Sequence, residues 1–262
     1  MNRIRTLLST QREHKLLVPF FTAGYPDLNT VVRLAEISAD CGADIVELGV
    51  PFSDPLADGP DIQYSSSLAL RRGVNLARIF RVAEKIRRRS DIPLVLMGYY
   101  NPIHAYGPAR FVRDAVDAGI DGYIVADLPV EEASLLKGHA DRWLLSSIFL
   151  VAPTSSPERV RMIDAACTDI VYAVTVTGVT GAGRKFDAST DRYLKNLRRL
   201  VTHPFVAGFG VSSPKDARRM TRYADGVVIG SVLTRLMRTA RTRAAGVSEI
   251  RRFLGRVRRA IP

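Results

Sequence analysis

The stretch CGADIVELGVPFSDPLADGPD, which runs from Cys41 to Asp61, contains a turn-and-strand unit that recurs along the chain and predicts its fold. Its first residues are typical of a helix end and a tight turn, because glycine suits the left-handed C-cap and a short polar residue suits an αβ turn. Around Glu47, an apolar, β-branched run is formed by Ile45, Val46, Leu48 and Val50, which predicts a buried parallel strand. The same pattern of a helix end, a turn and a strand start recurs at Ala118-Gly-Ile-Asp-Gly-Tyr123, Cys167-Thr-Asp-Ile-Val171 and Tyr223-Ala-Asp-Gly-Val-Val228.

Short apolar runs alternate with amphipathic stretches along the whole chain. The predicted strands are Leu16–Thr22, Ile45–Gly49, Leu94–Gly98, Gly122–Ala126, Ile148–Ala152, Ile170–Val174, Phe205–Gly208 and Gly226–Ile229. The fifth has an alternative start at Leu144, and the first could shift by two residues. The predicted helices are Asn29–Ala39, Leu76–Arg88, Pro108–Ala118, Glu131–Ala140, Pro157–Ala166, Asp191–Val201, Pro214–Tyr223, Ser231–Arg241 and Ser248–Ala260.

Eight strand–helix units in 262 residues predict an α/β fold, a closed (β/α)8 TIM barrel that forms a single domain over residues 1–262. We expect an extra N-terminal helix and an extra short helix near the phosphate site described below. An open doubly wound sheet is the alternative, but no Gly-x-Gly-x-x-Gly motif follows the first predicted strand. In a barrel, all loops that follow the strands open on one face, so residues after different strands are expected in one site.

The composition excludes several classes of protein. Hydrophobic residues make up 47% of the chain, enough for a substantial core. No apolar stretch reaches the roughly 18 residues that a membrane-spanning helix needs. Residues 1–15 contain no long apolar segment typical of a secretory signal. Cys41 and Cys167 have neither disulfide-framework nor metal-ligand spacing, so a cytoplasmic, reduced protein is the simplest interpretation.

The net charge of +12 is compatible with nucleic-acid binding. Most of the basic residues are arginines in predicted helical stretches, above all in Arg71–Arg89 and Arg235–Arg259. An arginine-rich solvated surface is the simpler interpretation, and a phosphorylated substrate or an acidic protein partner would also suit a positive field. The sequence contains no zinc-finger spacing, RNA-binding signature or basic motif interleaved with aromatic residues.

Two carboxylates are the strongest candidates for chemistry. Glu47 stands inside an apolar strand, where a charged side chain is costly unless it is paired, neutralised or used. Burial also raises a carboxyl pKa toward the range that a general acid needs near neutral pH. Asp58 follows in a loop stiffened by prolines. A partly solvated glutamate at a strand end, followed by turn-forming aspartates, is the alternative.

Glycine-rich loops follow the last three predicted strands. Tyr172 is followed by threonines and glycines over residues 175–183, a composition that suits a lid or backbone contacts to phosphate, with an ordinary flexible loop as the alternative. Gly208–Ser213 follows the seventh strand, and Ile229-Gly-Ser231 follows the eighth. TIM barrels frequently bind phosphate at these two loops, so the two motifs together predict a phosphate site.

Other residues at predicted strand ends are candidates for pocket walls, with packing as the alternative. They are Phe20, Tyr99, Tyr100, Asn101 and Phe209. Asp127, after the fourth strand, is a candidate helix-entry acid, orienting residue or binding residue. The four histidines are not placed like metal ligands or like the base of a nucleophile, so we expect no metal and no Ser-His triad.

Together, these motifs closely resemble one family, the α subunit of tryptophan synthase. The matching segments come in family order with family spacing, over nearly the whole chain: Val18–Pro26, Glu47–Pro60, Val125–Glu132, Thr177–Gly181, Gly208–Pro214 and Ile229–Ser231. The resemblance implies a (β/α)8-barrel lyase that cleaves indole-3-glycerol phosphate into indole and glyceraldehyde 3-phosphate, by a retro-aldol reaction without metal or Schiff base.

The resemblance also implies roles for individual residues. Glu47 is expected to be the general acid/base, and Asp58 is expected to stabilise the positive charge that develops on the indole nitrogen. The expected substrate-binding residues, which include the surroundings of the indole pocket and a lid residue, are Tyr172, Phe20, Met97, Asp127, Thr180 and Phe209. The expected phosphate-binding residues are Gly181, Gly210, Gly230 and Ser231.

Because the family works as an αββα complex, the resemblance implies a β subunit as partner. Pyridoxal phosphate is expected in that partner, since no residue here resembles a pyridoxal-binding lysine. The loop from Pro51 to Asp61 and the region from Asn101 to Ala105 are expected to face it, with Asp54 as an interface charge. Relatives often have Ser-Arg where this chain has Thr175-Val176, a change that bears on closure of the lid and on rate.

The sequence leaves three other functions open. The first is another phosphate-binding barrel enzyme, such as indole-glycerol-phosphate synthase or a phosphosugar isomerase. The synthase would be expected to carry a catalytic lysine on a strand, and the six lysines avoid strand ends except for Lys15. The second is a catalytically weak barrel that acts mainly as allosteric activator of the β subunit, for which Val176 is the support. The third is a basic nucleic-acid binder.

Overall fold

Nine short strands form the sheet in the computed structural model of the chain, which describes residues 2–10, 14–175, 188–208 and 210–261. They are β1 Leu16–Thr22, β2 Val46–Gly49, β3 Leu94–Gly98, β4 Gly122–Val125, β5 Ser146–Ile148, β6 Leu150–Val151, β7 Val171–Val174, β8 Phe205–Gly208 and β9 Gly226–Ile229. All neighbours pair in parallel, in the order β5-β4-β3-β2-β1-β9-β8-β7-β6.

The sheet closes because β5 and β6 are two halves of one strand path, interrupted only at Phe149. β5 pairs with β4, and β6 pairs with β7, so the two ends of the sheet are joined by a single residue. The N–H of Phe149 donates to Cys167 Sγ at 3.3 Å, and its carbonyl accepts from Tyr172 N at 3.0 Å. The predicted (β/α)8 barrel is therefore confirmed.

The predicted bounds of β1, β3, β8 and β9 are correct, and those of β2, β4 and β7 differ by one residue at one end. The prediction for the fifth strand, Ile148–Ala152, is wrong because this path begins two residues earlier. Ser146 and Ser147 are polar but fully buried, and their hydroxyls are satisfied by Asp169 and by the Tyr123 hydroxyl. Hydrophobic periodicity does not detect such residues.

The helices lie around the sheet. They are α1 Arg3–Thr10, α2 Leu28–Asp40, α3 Pro60–Arg71, α4 Leu76–Arg87, α5 Tyr100–Tyr106, α6 Pro108–Asp117, α7 Ser134–Arg142, α8 Pro157–Ala166, α9 Ala188–Leu200, α10 Pro214–Met220, α11 Ser231–Thr239 and α12 Arg243–Ala260. The expected N-terminal helix is α1, and the expected short helix is α11. None of the helices in the described ranges is both long and apolar enough to cross a bilayer.

Several helix predictions need correction. The sequence did not predict α3 or α5, and α12 begins five residues before the predicted start at Ser248. The predicted helix Glu131–Ala140 is a 3-10 turn, Val130–Glu132, followed by α7. α3 was missed because two of its buried positions are the serines Ser65 and Ser66, so its apolar periodicity is weak. The prediction that residues 1–262 form one domain stays a prediction.

The aspartates of the repeated turns hold the amino-terminal end of the barrel together. Each carboxylate accepts a hydrogen bond near the start of the neighbouring strand: Asp44 from Leu17 N at 2.7 Å, Asp121 from Leu94 N at 2.9 Å, Asp225 from Phe205 N at 2.8 Å and Asp169 from Ser146 Oγ at 2.5 Å. Each also pairs with arginine, in the pairs Asp44–Arg258, Asp121–Arg87, Asp169–Arg5 and Asp225–Arg198. Part of the positive charge of the chain is thus neutralised within the fold.

Alternation along the strands separates two buried apolar clusters. In β1, Leu17 and Phe21 belong to the large cluster between the sheet and the helices, whereas Leu16, Val18 and Phe20 belong to a smaller cluster inside the barrel. The inner cluster also contains Ile4 of α1, whose Cδ1 lies against Gly122 at the start of β4. At the opposite end it terminates in aromatic and apolar side chains that line the cavity described next.

Candidate active site

A cavity opens at the carboxyl ends of the strands. Its lining residues are Phe20, Glu47, Asp58, Ile62, Met97, Tyr172, Gly210, Val211, Val228, Gly230 and Ser231. Eight of the site residues expected from the sequence lie among them: Phe20, Glu47, Asp58, Met97, Tyr172, Gly210, Gly230 and Ser231. The lining combines apolar walls with a few polar groups, as small-molecule sites usually do.

Glu47 projects from β2 into this cavity and is 1% exposed. Its register neighbours are Phe20 on β1 and Val95 on β3, which are both apolar and buried. Within the described residues, its Oε1 atom has no hydrogen-bond partner. Burial, followed by the negative charge of Asp58, raises the pKa of Glu47 to about 8. The side chain is therefore a mostly protonated acid at neutral pH.

Asp58 lines the same cavity from the loop between β2 and α3, and its environment differs from that of Glu47. Burial raises the pKa of Asp58 to about 6, while a hydrogen bond from Tyr99 opposes the shift. Tyr99 Oη also accepts a hydrogen bond from Ala57 N at 3.0 Å, and its ring packs against Phe52 with centroids 5.2 Å apart. Asp58 is therefore mostly ionised at neutral pH, so the two carboxyl groups hold opposite protonation states in one cavity.

Two aromatic rings fit the walls of the cavity because glycines on the adjacent strands leave room. A Cβ on Gly49 would lie 2.3 Å from Phe20 Cζ, and a Cβ on Gly208 would lie 2.0 Å from Tyr172 Oη. Burial, followed by the charge of Glu47, raises the pKa of Tyr172 well above its usual value. Its hydroxyl therefore stays neutral, and the two rings offer flat surfaces suited to an aromatic ligand.

The opposite side of the cavity suits an anion. Ser231 is the first residue of α11, and Gly230 is its N-cap. The first N–H groups of a helix have no intrahelical acceptor, and the helix dipole places partial positive charge at this end. Gly210, which follows β8, lies beside them in the cavity lining. This arrangement is a suitable binding place for a phosphate group.

Asp127 and Asp54 do not line this cavity. Asp127 is exposed, and its Oδ1 accepts a hydrogen bond from Tyr100 N at 2.7 Å, at the start of α5. It contributes to a neighbouring depression, together with Thr154 and Arg159. Asp54 is exposed on the loop before Asp58. The roles expected for these two aspartates stay predictions.

The expectations for Thr180, Gly181 and Phe209 lie outside the described residues, as does Val176. Its neighbour Thr175 is described and buried, and Thr175 Oγ1 donates a hydrogen bond to the carbonyl of Gly208 at 2.6 Å. The threonine therefore ties the end of β7 to the end of β8, on the side of the cavity that contains Tyr172.

Sequence reasoning missed three apolar lining residues and one polar contact. Ile62 belongs to α3, which was not predicted, and Val211 lies in a loop. Val228 could have been found, because it alternates with the outward-facing Val227 and Ile229. The hydrogen bond between Tyr99 and Asp58 had no sequence signal beyond the position of Tyr99 after a strand.

Metal-ligating groups do not gather in the part of the chain that the structure covers. No group of three or more histidine, cysteine, aspartate or glutamate side chains there has the geometry of a metal site. Cys41 and Cys167 are free thiols.

The closed barrel contains, at the carboxyl ends of its strands, one cavity with two carboxyl groups and a helix end suited to an anion. These features define the chain as an enzyme of the TIM-barrel class. A model of the family described as tryptophan synthase alpha chain matches residues 7–261. The chain belongs to this family.

Individual relatives agree with this assignment. The tryptophan synthase alpha chain of Pelobacter propionicus is 44% identical over 264 residues, which cover 100% of this chain and 98% of the relative. The crystal structure of the tryptophan synthase alpha chain from Legionella pneumophila superposes with a TM-score of 0.90 at 32% identity, over 99% of this chain and 97% of that one. A chain in the structure of the mutually activated tryptophan synthase α2β2 complex from Pyrococcus furiosus has a TM-score of 0.85 and 34% identity, over 94% and 99% of the two chains.

Proposed function

We propose that this chain cleaves indole-3-glycerol phosphate with Glu47 as the general acid/base and Asp58 as the group that stabilises the indole nitrogen. The family catalyses this cleavage, which yields indole and glyceraldehyde 3-phosphate, so the chain is a lyase of tryptophan biosynthesis. One observation carries the assignment of roles: a protonated, fully buried Glu47 and an ionised Asp58 line the same cavity.

The first step is protonation of the indole ring. Glu47 donates its proton to ring carbon 3, the carbon that bears the glycerol phosphate chain. Protonation removes the aromaticity of the pyrrole ring and leaves a positive charge centred on the nitrogen. Asp58, ionised and partly shielded from water, stabilises this charge where its Coulomb attraction is stronger than in bulk water.

The second step breaks the carbon–carbon bond. The Glu47 carboxylate formed in the first step accepts the proton of the hydroxyl on the chain carbon next to the ring. The oxygen forms the aldehyde of glyceraldehyde 3-phosphate, and the electron pair of the broken bond returns to the ring and restores indole. Glu47 ends the cycle protonated, so neither an oxidant nor an external acid is consumed. A pKa of about 8 suits a group that must both donate and accept a proton near neutral pH.

The remaining cavity residues bind and orient the substrate in this proposal. The phosphate lies at the start of α11, where Gly230 and Ser231 present backbone N–H groups. The indole ring lies between apolar walls that include Phe20 and Met97. The roles of Thr180, Gly181 and Phe209, which the resemblance implies, belong to this proposal as predictions only.

The partner of this chain is a tryptophan synthase β subunit, in an αββα complex. In this family pyridoxal phosphate belongs to the β subunit, so no step above involves a cofactor. We assign the loop between Pro51 and Asp61 to the interface because Leu56 in its middle is 88% exposed and Asp54 is exposed beside it. An exposed leucine on a proline-stiffened loop is suited to burial by a partner. The cytoplasmic location stays a prediction.

The test is indole release by purified wild-type chain and by the variant Glu47→Gln, with substrate binding measured separately by equilibrium titration. Loss of a general acid/base is expected to lower kcat by about 10² to 10⁴-fold, while the substrate still binds. Glu84→Gln is the matched control, since the same chemical change then falls on an exposed residue of α4. Wild-type activity in Glu47→Gln would exclude the proposed mechanism.

A further inference from the structure

Outside the cavity, a buried carboxylate on α3 pairs with two partly exposed arginines on α11. Asp61 is 8% exposed, and its carboxylate receives two guanidinium groups: Arg235 Nε at 3.1 Å and an Arg238 side-chain nitrogen at 2.9 Å. The partners lie 174 residues and more along the chain from Asp61. The two guanidinium groups compensate the charge of the buried Asp61 carboxylate. Removing both arginines would leave that carboxylate buried without a cationic partner.

At one end, this ionic cluster lies next to the loop that contains Asp58. Asp61 lies in the first turn of α3, three residues after Asp58. Gln63, in the same part of the helix, donates from Nε2 to the carbonyl of Asp58 at 2.8 Å and from its backbone N–H to the carbonyl of Gly59 at 2.9 Å. The position of this first turn therefore sets the position of the Asp58 backbone.

At the other end, the cluster is part of α11, whose first residues are the proposed phosphate-binding site. Arg235 lies four residues after Ser231, so the two residues occupy the same face of α11, one turn apart. Arginine side chains on a helix extend toward its amino terminus, which here is the end assigned to phosphate. A displacement of α11 on phosphate binding would therefore reach Asp61 through its two arginines.

We propose that Asp61 is a positioning residue that couples phosphate binding at the start of α11 to the placement of Asp58. This inference rests on the proposed function, because it concerns the group that stabilises the indole nitrogen. With the cluster intact, α11 holds the first turn of α3, and that turn holds the carboxylate of Asp58 at the cavity. Asp61 itself is not among the residues that line the cavity.

The remainder of α3 has a separate attachment. Ser65 Oγ lies 2.6 Å from Thr22 Oγ1 of β1, and both side chains are buried. Loss of the Asp61 charge is therefore expected to loosen the first turn of α3 without releasing the helix from the barrel.

The variant Asp61→Asn tests the coupling, because it removes the charge at nearly constant size. Small displacements of a reacting group lower rates steeply, so kcat for indole-3-glycerol phosphate is expected to fall by about 10 to 100-fold. The inhibition constant of inorganic phosphate is expected to stay the same or to decrease, since the freed positive charges of Arg235 and Arg238 lie on the phosphate-binding helix. A role in stability alone would instead weaken phosphate binding together with kcat.

Two further variants complete the experiment. Asp40→Asn removes a carboxylate that pairs with Arg251 between α2 and α12, and this matched control is expected to keep wild-type kcat. Asp61→Glu keeps the charge and is expected to recover most of the lost kcat. In the double variant Asp61→Asn with Arg235→Gln, the two losses are expected to be less than additive, because both break the same interaction.

Each outcome either supports or overturns the positioning role of Asp61. A lower kcat with retained phosphate affinity, together with recovery in Asp61→Glu, supports it. Wild-type kcat in Asp61→Asn overturns it, and so does a parallel loss of kcat, phosphate affinity and melting temperature. If Glu47→Gln is inactive while Asp61→Asn is fully active, only the positioning role fails. If Glu47→Gln is fully active, the proposed function fails, whatever the result at Asp61.

Discussion

Glu47 makes the stability of this protein depend on pH in a way that a single substitution removes. Its carboxyl is 1% exposed, and its pKa is about 8 in the folded chain, against a usual value of 4.5. The folded state therefore binds this proton more tightly than the unfolded state. The resulting stabilisation is fully present below the unfolded pKa and is lost as the pH rises through the folded pKa.

The size of the effect follows from the shift. Between about pH 5 and the folded pKa of about 8, each pH unit changes the free energy of unfolding by about 1.36 kcal/mol. From about pH 5 to about pH 9, wild type is therefore expected to lose about 4 kcal/mol of stability through Glu47 alone. Glu47→Gln has no proton to lose at this position, so its own buried amide changes stability by a pH-independent amount.

The assay is denaturant unfolding of wild type, Glu47→Gln and the control Glu84→Gln at matched ionic strength across this pH range. The difference in unfolding free energy between wild type and Glu47→Gln is expected to shift by about 4 kcal/mol in favour of the variant. Glu84→Gln is expected to follow the wild-type curve. Parallel curves for wild type and Glu47→Gln would refute the conclusion that Glu47 is a buried acid in the folded chain.

Four more substitutions test the roles of other residues. Asp58→Asn is expected to lower kcat by about 10² to 10³-fold and to abolish the acid limb of the pH–rate profile near pH 6, whereas Tyr99→Phe should move that limb to higher pH, because a hydrogen bond that lowers the pKa of Asp58 is lost. Gly208→Ala places a methyl group 2.0 Å from Tyr172 Oη, so melting temperature and kcat should both fall. Leu56→Ser should weaken binding of a β subunit in titration calorimetry, while the melting temperature of the isolated chain stays unchanged.

Much of the barrel could be predicted from the sequence because each unit signals its own boundaries. Buried parallel strands are apolar on both faces, so runs such as Leu94–Gly98 stand out between polar turns. The aspartate in each repeated turn was predicted for its fit to a tight turn. The structure shows a second role for this aspartate. Its carboxylate also accepts a hydrogen bond from the neighbouring strand, as Asp121 does from Leu94 N.

Features that depend on distant partners could not be predicted. α3 buries Ser65 against Thr22, a hydroxyl contact that hydrophobic periodicity does not register. The pairing of Asp61 with Arg235 joins residues 174 positions apart, and only the folded barrel brings them together. At the site, sequence position suggested both carboxylates, but their different protonation states follow from burial and from the Tyr99 contact.

Indole release from indole-3-glycerol phosphate is the most direct test of the central claim. The rate should be measured with the purified chain alone and then with a tryptophan synthase β subunit. Slow release by the chain alone, accelerated by the partner and lowered by about 10² to 10⁴-fold in Glu47→Gln in both states, is the predicted result. Absence of indole in both states, while the chain still stimulates the serine chemistry of the β subunit, would contradict the account and favour a barrel that acts mainly as an activator.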